Sequence, residues 1–175
     1  MIPGKKSLSV VIPTLNESST INHLIDQLRN QVDVQLQIII VDGGSSDDTT
    51  TRIKAQIVKS TLSGGSGINL LTTAPGRGHQ LNVGCQNATH EYLLCLHSDS
   101  ELTNPRQLLD ALEVLENQCD PDMVAGHFSL SFQLSPCTPT GRLKYFESKS
   151  DLNRPGTFNG DQGLLIKRDI LASFG

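Results

Sequence analysis

Four segments of the chain place chemically capable side chains directly after apolar runs. They are Pro13-Thr14-Leu15-Asn16-Glu17, Asp42-Gly43-Gly44-Ser45, Arg77-Gly78 and His97-Ser98-Asp99. In an open parallel sheet, ligands bind beyond the carboxyl ends of the strands, so four such tips would share one rim. Asp42 follows four β-branched residues, Ile38 to Val41. Its carboxylate can accept hydrogen bonds from a nucleobase N–H or a ribose hydroxyl; with the two glycines it can equally form a tight strand-to-helix turn. His97, Asp99 and Glu101 alternate, which puts them on one side of an extended segment. Oxygen and imidazole ligands there suit Mg2+ or Mn2+; the competing reading is an N-cap cluster for the helix near Asn104. Gly160-Asp161-Gln162 lies in a loop before a last apolar run, where the Asp161 carboxylate could serve as a general base or only form a turn.

The elements that must position these groups alternate along the first ~115 residues. Leu8 to Ile12 is a buried strand stopped by Pro13, and Ser18-Ser19-Thr20 offers N-cap hydroxyls. Ile21, Leu24, Ile25 and Leu28 make one helical stripe. Ile38 to Val41 is a second strand, and Ser46-Asp47-Asp48 caps a helix carrying Ile53 and Ile57. Ser60 to Gly67 reads as a flexible loop. Ile68 to Leu71 is a third strand, Pro75 to Gly78 a turn, and Leu81, Gly84, Cys85 and Ala88 a helical stripe. Tyr92 to Leu96 is a fourth strand, and Asn104-Pro105 opens a helix with Leu108, Leu109, Leu112 and Leu115 on one face.

Beyond residue 115 the pattern changes. Phe128, Leu130, Phe132 and Leu134 alternate with polar residues, the period of a half-exposed strand. Pro136 to Gly141 reads as a loop, Leu143 to Ser150 as a helix, Asn153 to Asp161 as a loop and Leu164 to Ile166 as a short strand. There is no internal repeat and no linker, so residues 1–175 read as a single domain: a parallel half over about 1–115 and a second half over about 116–175.

Composition bounds the function. The 175 residues are 37% hydrophobic and 18% charged, a globular balance. Aromatics are 4%, the net charge is −4 and no Lys/Arg block occurs, which argues against nucleic acid as a partner. Four cysteines, at 85, 95, 119 and 137, form no C-x-x-C pair, and a reducing compartment is the simplest expectation. No apolar leader follows Met1 to Ser7 and no run reaches 18 apolar residues, so a cytoplasmic location is expected, with contact at the inner membrane face left open.

Taken together, S-V-V-I-P-T-L-N-E (Ser9 to Glu17), I-I-V-D-G-G-S-S-D-D-T (Ile39 to Thr49), G-R-G-H-Q-L-N-V-G (Gly76 to Gly84), L-H-S-D (Leu96 to Asp99) and G-D-Q-G (Gly160 to Gly163) resemble the family 2 glycosyltransferases. The resemblance is greatest to a small bacterial branch with H-x-D in place of D-x-D. It implies a GT-A fold, a mostly parallel central sheet with helices on both faces. It implies a hexosyltransferase that moves a sugar from a UDP- or GDP-linked donor to an acceptor hydroxyl, with inversion and with Mn2+ or Mg2+. By the same resemblance Pro13, Thr14, Asn16 and Glu17 line the nucleotide pocket, Asp42 and Arg77 hold the base, Asp99 binds the metal and Asp161 is the catalytic base. His97 stands where the first acid of D-x-D is usual and takes over its contact to the nucleotide. The chain ends at Phe174-Gly175, earlier than family members usually do, so an acceptor half cut short is expected.

Three other readings compete. A catalytically degenerate nucleotide-sugar-binding protein would keep the rim and lose transfer. A sugar nucleotidyltransferase needs a Gly-rich, Lys-containing loop after its first strand, and Pro13 to Glu17 has neither residue. A dinucleotide-binding fold needs G-x-G-x-x-G in the first turn; Gly76-Arg77-Gly78 follows the third strand and has Leu81 at the third Gly position.

Overall fold

Leu8, Val10 and Ile12 face one way from the first strand and Val11 the other, and all four are fully buried. Such a strand must be covered on both sides, which is the condition of a central strand in a parallel sheet. The structure is a computed structural model that describes residues 5–62, 67–117, 125–129, 145, 148 and 163–173. Its elements are β1 (Lys6–Thr14), α1 (Ile21–Arg29), β2 (Val34–Asp42), α2 (Thr49–Leu62), β3 (Gly67–Thr72), α3 (Arg77–Gln86), β4 (Tyr92–Cys95), α4 (Gln107–Glu116), β5 (Ala125–Gly126), β6 (Leu164–Lys167) and α5 (Arg168–Ser173).

The sheet runs β3-β2-β1-β4-β6-β5. The first four of these neighbours are parallel, while β6 runs antiparallel to both β4 and β5. Alternation sorts the side chains onto two faces. Leu8, Val10, Ile12, Ile38, Ile40 and Leu94 pack with the stripes of α1 and α4 and with Ile53 of α2. Val11, Ile39, Val41 and Leu93 pack beneath α3 and α5. The mostly parallel sheet with helices on both faces is therefore present. No helix among the described residues is long and apolar enough to cross a membrane.

Several expectations are corrected. β1 does not stop at Ile12 but runs through Pro13 to Thr14. Val11 accepts from the Leu96 amide and Thr14 from the Gly43 amide. By alternation, Pro13 turns its missing N–H toward β4, beyond that strand's last paired residue, so no ladder bond is lost. Ser60 to Leu62 belong to α2 rather than to a loop, and residues 63–66 lie outside the described set. The turn at Pro75 to Gly78 is shorter, because α3 begins at Arg77. Thr20 stands at the N-cap of α1, but its hydroxyl turns back to Glu17 instead of capping forward. The strand expected from Phe128 is not formed there. The pairing with β6 selects Ala125 and Gly126, and residues 130–134 lie outside the described set, as do the loops and helix expected between 136 and 161. α5 was not anticipated.

One glycine sets how closely a helix can approach this sheet. A Cβ on Gly84 of α3 would lie 2.2 Å from Val11 Cγ1 and 3.2 Å from Val41 Cγ2, both in the second core. Neither valine can move, since both are fully buried. Gly84→Ala should therefore lower the free energy of unfolding by roughly 1–3 kcal/mol through overpacking. Chemical denaturation measures this, and an unchanged midpoint and slope would show that α3 does not lie this close.

Candidate functional site

Register brings the sequence-predicted residues to one edge. Thr14 pairs with Asp42, and Asp42 with Thr72, so β1, β2 and β3 end level. β4 ends at Cys95, opposite Val11, and the Leu96 amide adds one more bond to Val11 before the chain leaves the sheet at His97. From β2 to β4 is two inter-strand spacings, roughly 10 Å. The tips carrying Asp42 and Asp99 thus stand on the same rim, on either side of Thr14.

The first two tips are zipped together. The Asn16 backbone is left-handed (φ 58°), and its Oδ1 accepts from the Ser46 amide at 2.9 Å and the Ser46 hydroxyl at 3.3 Å. The Asn16 amide donates to Ser45 Oγ at 2.9 Å, the Glu17 amide to Thr49 Oγ1 at 2.8 Å and the Ser18 amide to Asp47 Oδ2 at 3.2 Å. Asp47 Oδ1 also accepts from the Thr49 amide at 3.0 Å, which anchors the start of α2.

Asp42 is buried, and its carboxylate is spent inside its own loop. Oδ2 accepts from the Gly44 and Ser45 amides, both at 2.9 Å; Oδ1 accepts from the Ser45 hydroxyl and, at 3.5 Å, from Thr14 Oγ1. An ionised carboxylate has about four acceptor positions, and these four donors use them. These bonds make the tight strand-to-helix turn that the sequence suggested for Asp42.

Gln80 was not foreseen. It is buried, and its side-chain N–H group donates at 2.8 Å to both the Thr14 and Val41 carbonyls. One amide thus ties the first turn of α3 to the ends of β1 and β2, which brings Arg77 to the rim. It also explains Gly43, whose Cβ would lie 3.1 Å from the Gln80 side chain. The signal was available: Gln80 stands one turn before Gly84 on the buried stripe, where a polar residue needs a partner.

On the other side of Thr14, His97 is half-buried and Asp99 exposed, with Nδ1 and Oδ1 4.0 Å apart. The connection onward is docked on α1: the Leu102 amide donates to Gln27 Oε1, and Gln31 bridges the Asn104 carbonyl and the Leu108 amide. Glu101 turns instead to His23, 3.9 Å away. No cluster of three or more His, Cys, Asp or Glu stands ready for a metal among the described residues. One carboxylate beside an imidazole still fits a cation that takes its remaining ligands from phosphate and water. Pro13 is half-buried and Arg77 exposed at the same rim; Asp161 lies outside the described residues.

The sequence pattern of glycosyl transferase family 2 matches residues 9–174. The chain belongs to that family. It is 32% identical over 104 residues to glucosyl-3-phosphoglycerate synthase of Mycobacterium tuberculosis (strain ATCC 25618 / H37Rv), a match covering 59% of this chain and 31% of that protein. It is 36% identical over 119 residues to the amylovoran biosynthesis glycosyltransferase AmsB of Erwinia amylovora, covering 65% of this chain and 38% of the relative. Among solved structures, the mannosyltransferase PcManGT of Pyrobaculum calidifontis, in complex with GDP-Man and Mn2+, shares the fold with a TM-score of 0.74 at 20% identity, over 99% of this chain and 48% of that one. The UDP complex of the M. tuberculosis synthase gives 0.59 at 23%, over 97% and 59%. The chain therefore spans about a third of these two relatives and about half of these two structures.

The electrostatics of the zipper can be checked directly. Hydrogen bonds from Thr49 first, and then from Ser18, hold Asp47 at about 2 against an ordinary 3.8. A depressed carboxylate stabilises the fold fully above its unfolded value, and that contribution is lost as pH falls through the folded one. Carbon-detected NMR titration of the Asp47 carboxyl should give a midpoint near 2; a midpoint at the ordinary value would mean that neither the Thr49 cap nor the Ser18 contact is made.

Proposed function

We propose that this chain carries the donor-binding rim of a metal-dependent glycosyltransferase, which moves a sugar from a UDP- or GDP-linked donor to an acceptor hydroxyl with inversion. The observation that carries the reading is the shared rim: β1, β2 and β3 end level at one edge of a family 2 chain, β4 leaves the sheet beside Val11 just short of it, and the Asp42 and Asp99 tips flank Thr14. Relatives solved with GDP-Man and Mn2+, or with UDP, support the donor class and the cation.

Each residue has a part in this proposal. Pro13, Thr14, Asn16 and Glu17 form one wall of the nucleotide pocket, joined to the Asp42 loop by the bonds of Asn16 and Glu17. Asp42 and Arg77 hold the base, the Asp42 loop being fixed by its bonds to the Gly44 and Ser45 amides. Asp99 holds Mn2+ or Mg2+, with His97 beside it contacting the nucleotide; the cation offsets charge on the departing diphosphate. Asp161 takes the proton of the attacking hydroxyl.

Two measurements test this. A saturating nucleoside diphosphate at 100 times its dissociation constant adds ~2.7 kcal/mol to stability, so UDP or GDP should raise the melting temperature in Mn2+. Asp99→Ala should abolish the Mn2+-dependent part of that shift; an equal shift with and without Asp99 rejects it as the metal ligand. Asp161→Asn should slow sugar transfer ~10²–10⁴-fold while leaving the diphosphate shift intact. Transfer at the wild-type rate removes Asp161 from the mechanism, and binding without transfer in the unmutated protein favours the degenerate reading.

A further inference from the structure

Cys85 and Cys95 pack, partly buried, against the core beneath α3. Their sulfurs are 3.9 Å apart, linking the last turn of α3 to the last residue of β4, and both residues are only partly buried. A disulfide needs an S–S distance near 2.05 Å, so the gap closes with about 2 Å of movement shared between two sulfurs. A second observation fixes the backbones at this point. Gly84, next to Cys85, is where α3 touches Val11, and Val11 is the β1 register partner of Cys95. The helix comes closest to the sheet at the level where the two thiols meet.

We propose that Cys85 and Cys95 are a modification site: a dithiol that a low-molecular-weight disulfide converts to an intramolecular disulfide, fastening α3 to β4. In the first step the Cys85 thiolate attacks one sulfur of oxidised glutathione, forming a mixed disulfide and expelling one glutathione thiolate. Cys95 then gives up its proton and attacks Cys85 Sγ, forming the Cys85–Cys95 bond and expelling the second glutathione. Two protein thiols lose two protons and two electrons, and one external disulfide becomes two thiols. The hydrogen bond from Cys95 holds the Cys85 thiol below its ordinary value, which favours Cys85 as the attacking sulfur. The site does not depend on the nucleotide reading above. Its effect is to hold together the helix that begins at Arg77 and the strand that leads to His97 and Asp99.

The test uses the whole chain with oxidised glutathione as the probe, followed by iodoacetamide trapping and non-reducing peptide mapping. Cleavage after Glu91, which lies between the two cysteines, puts them on separate peptides. The expected result is one cross-linked species joining the Cys85 and Cys95 peptides, removed by dithiothreitol, with a loss of two alkylatable thiols from the four in the chain. The Cys119→Ser/Cys137→Ser protein should give the same cross-link. Cys85→Ser should leave no cross-link to Cys95. The proposal is overturned if Cys85 and Cys95 stay alkylated, if each carries only glutathione, or if either pairs instead with Cys119 or Cys137.

Discussion

The rim depends on one buried amide. Gln80 has two side-chain N–H donors in reach of two main-chain carbonyls, at Thr14 and Val41, where adjacent strands end. An unmade hydrogen bond in a buried place costs about 1–3 kcal/mol, so helix and strand ends are held in one relation. The same side chain crowds Gly43, where a Cβ would come within 3.1 Å of it and press on the amide. From this point the rest follows in order. The Gly43 amide closes onto Thr14, the Asp42 carboxylate gathers the Gly44 and Ser45 amides, and Ser45 and Ser46 reach across to Asn16.

What the sequence made legible was the location of the rim. Apolar runs before Pro13 and Asp42 mark the strand ends to within about two residues, and alternating strand and helix puts such ends on one edge. What it left hidden was the direction in which each side chain spends its bonds. Asp42 has the residue type and position of a ligand contact, yet the acceptors are consumed by a loop whose shape needs the left-handed backbones of Asn16 and Gly44. Periodicity puts Gln80 on the buried side of α3 but does not say which carbonyls it meets. The alternation that begins at Phe128 gave no sign of the strand at Ala125 and Gly126, which is chosen by its pairing with β6. The six residues of α5 are too few to show a helical period.

The opposite edge of the sheet is closed by a different kind of chemistry. Tyr92 is buried near the start of β4, its hydroxyl donates to Glu116 at 2.9 Å, and Lys6 pairs with the same carboxylate. Burial first, and the Glu116 carboxylate second, push the Tyr92 phenol upward, so it stays a neutral donor throughout the physiological range. Lys167 stands over the Tyr92 ring, 6.0 Å from its centroid. β1, α4, β4 and β6 are thereby bound together at the end of the sheet away from the rim.

The reversal of direction between β4 and β6 has an evolutionary consequence. An antiparallel strand starts where its neighbour finishes, so the residues entering β6 arrive beside the exit of β4 however long the intervening excursion is. Changes of length between β5 and Gly163 can therefore accumulate without displacing either anchor.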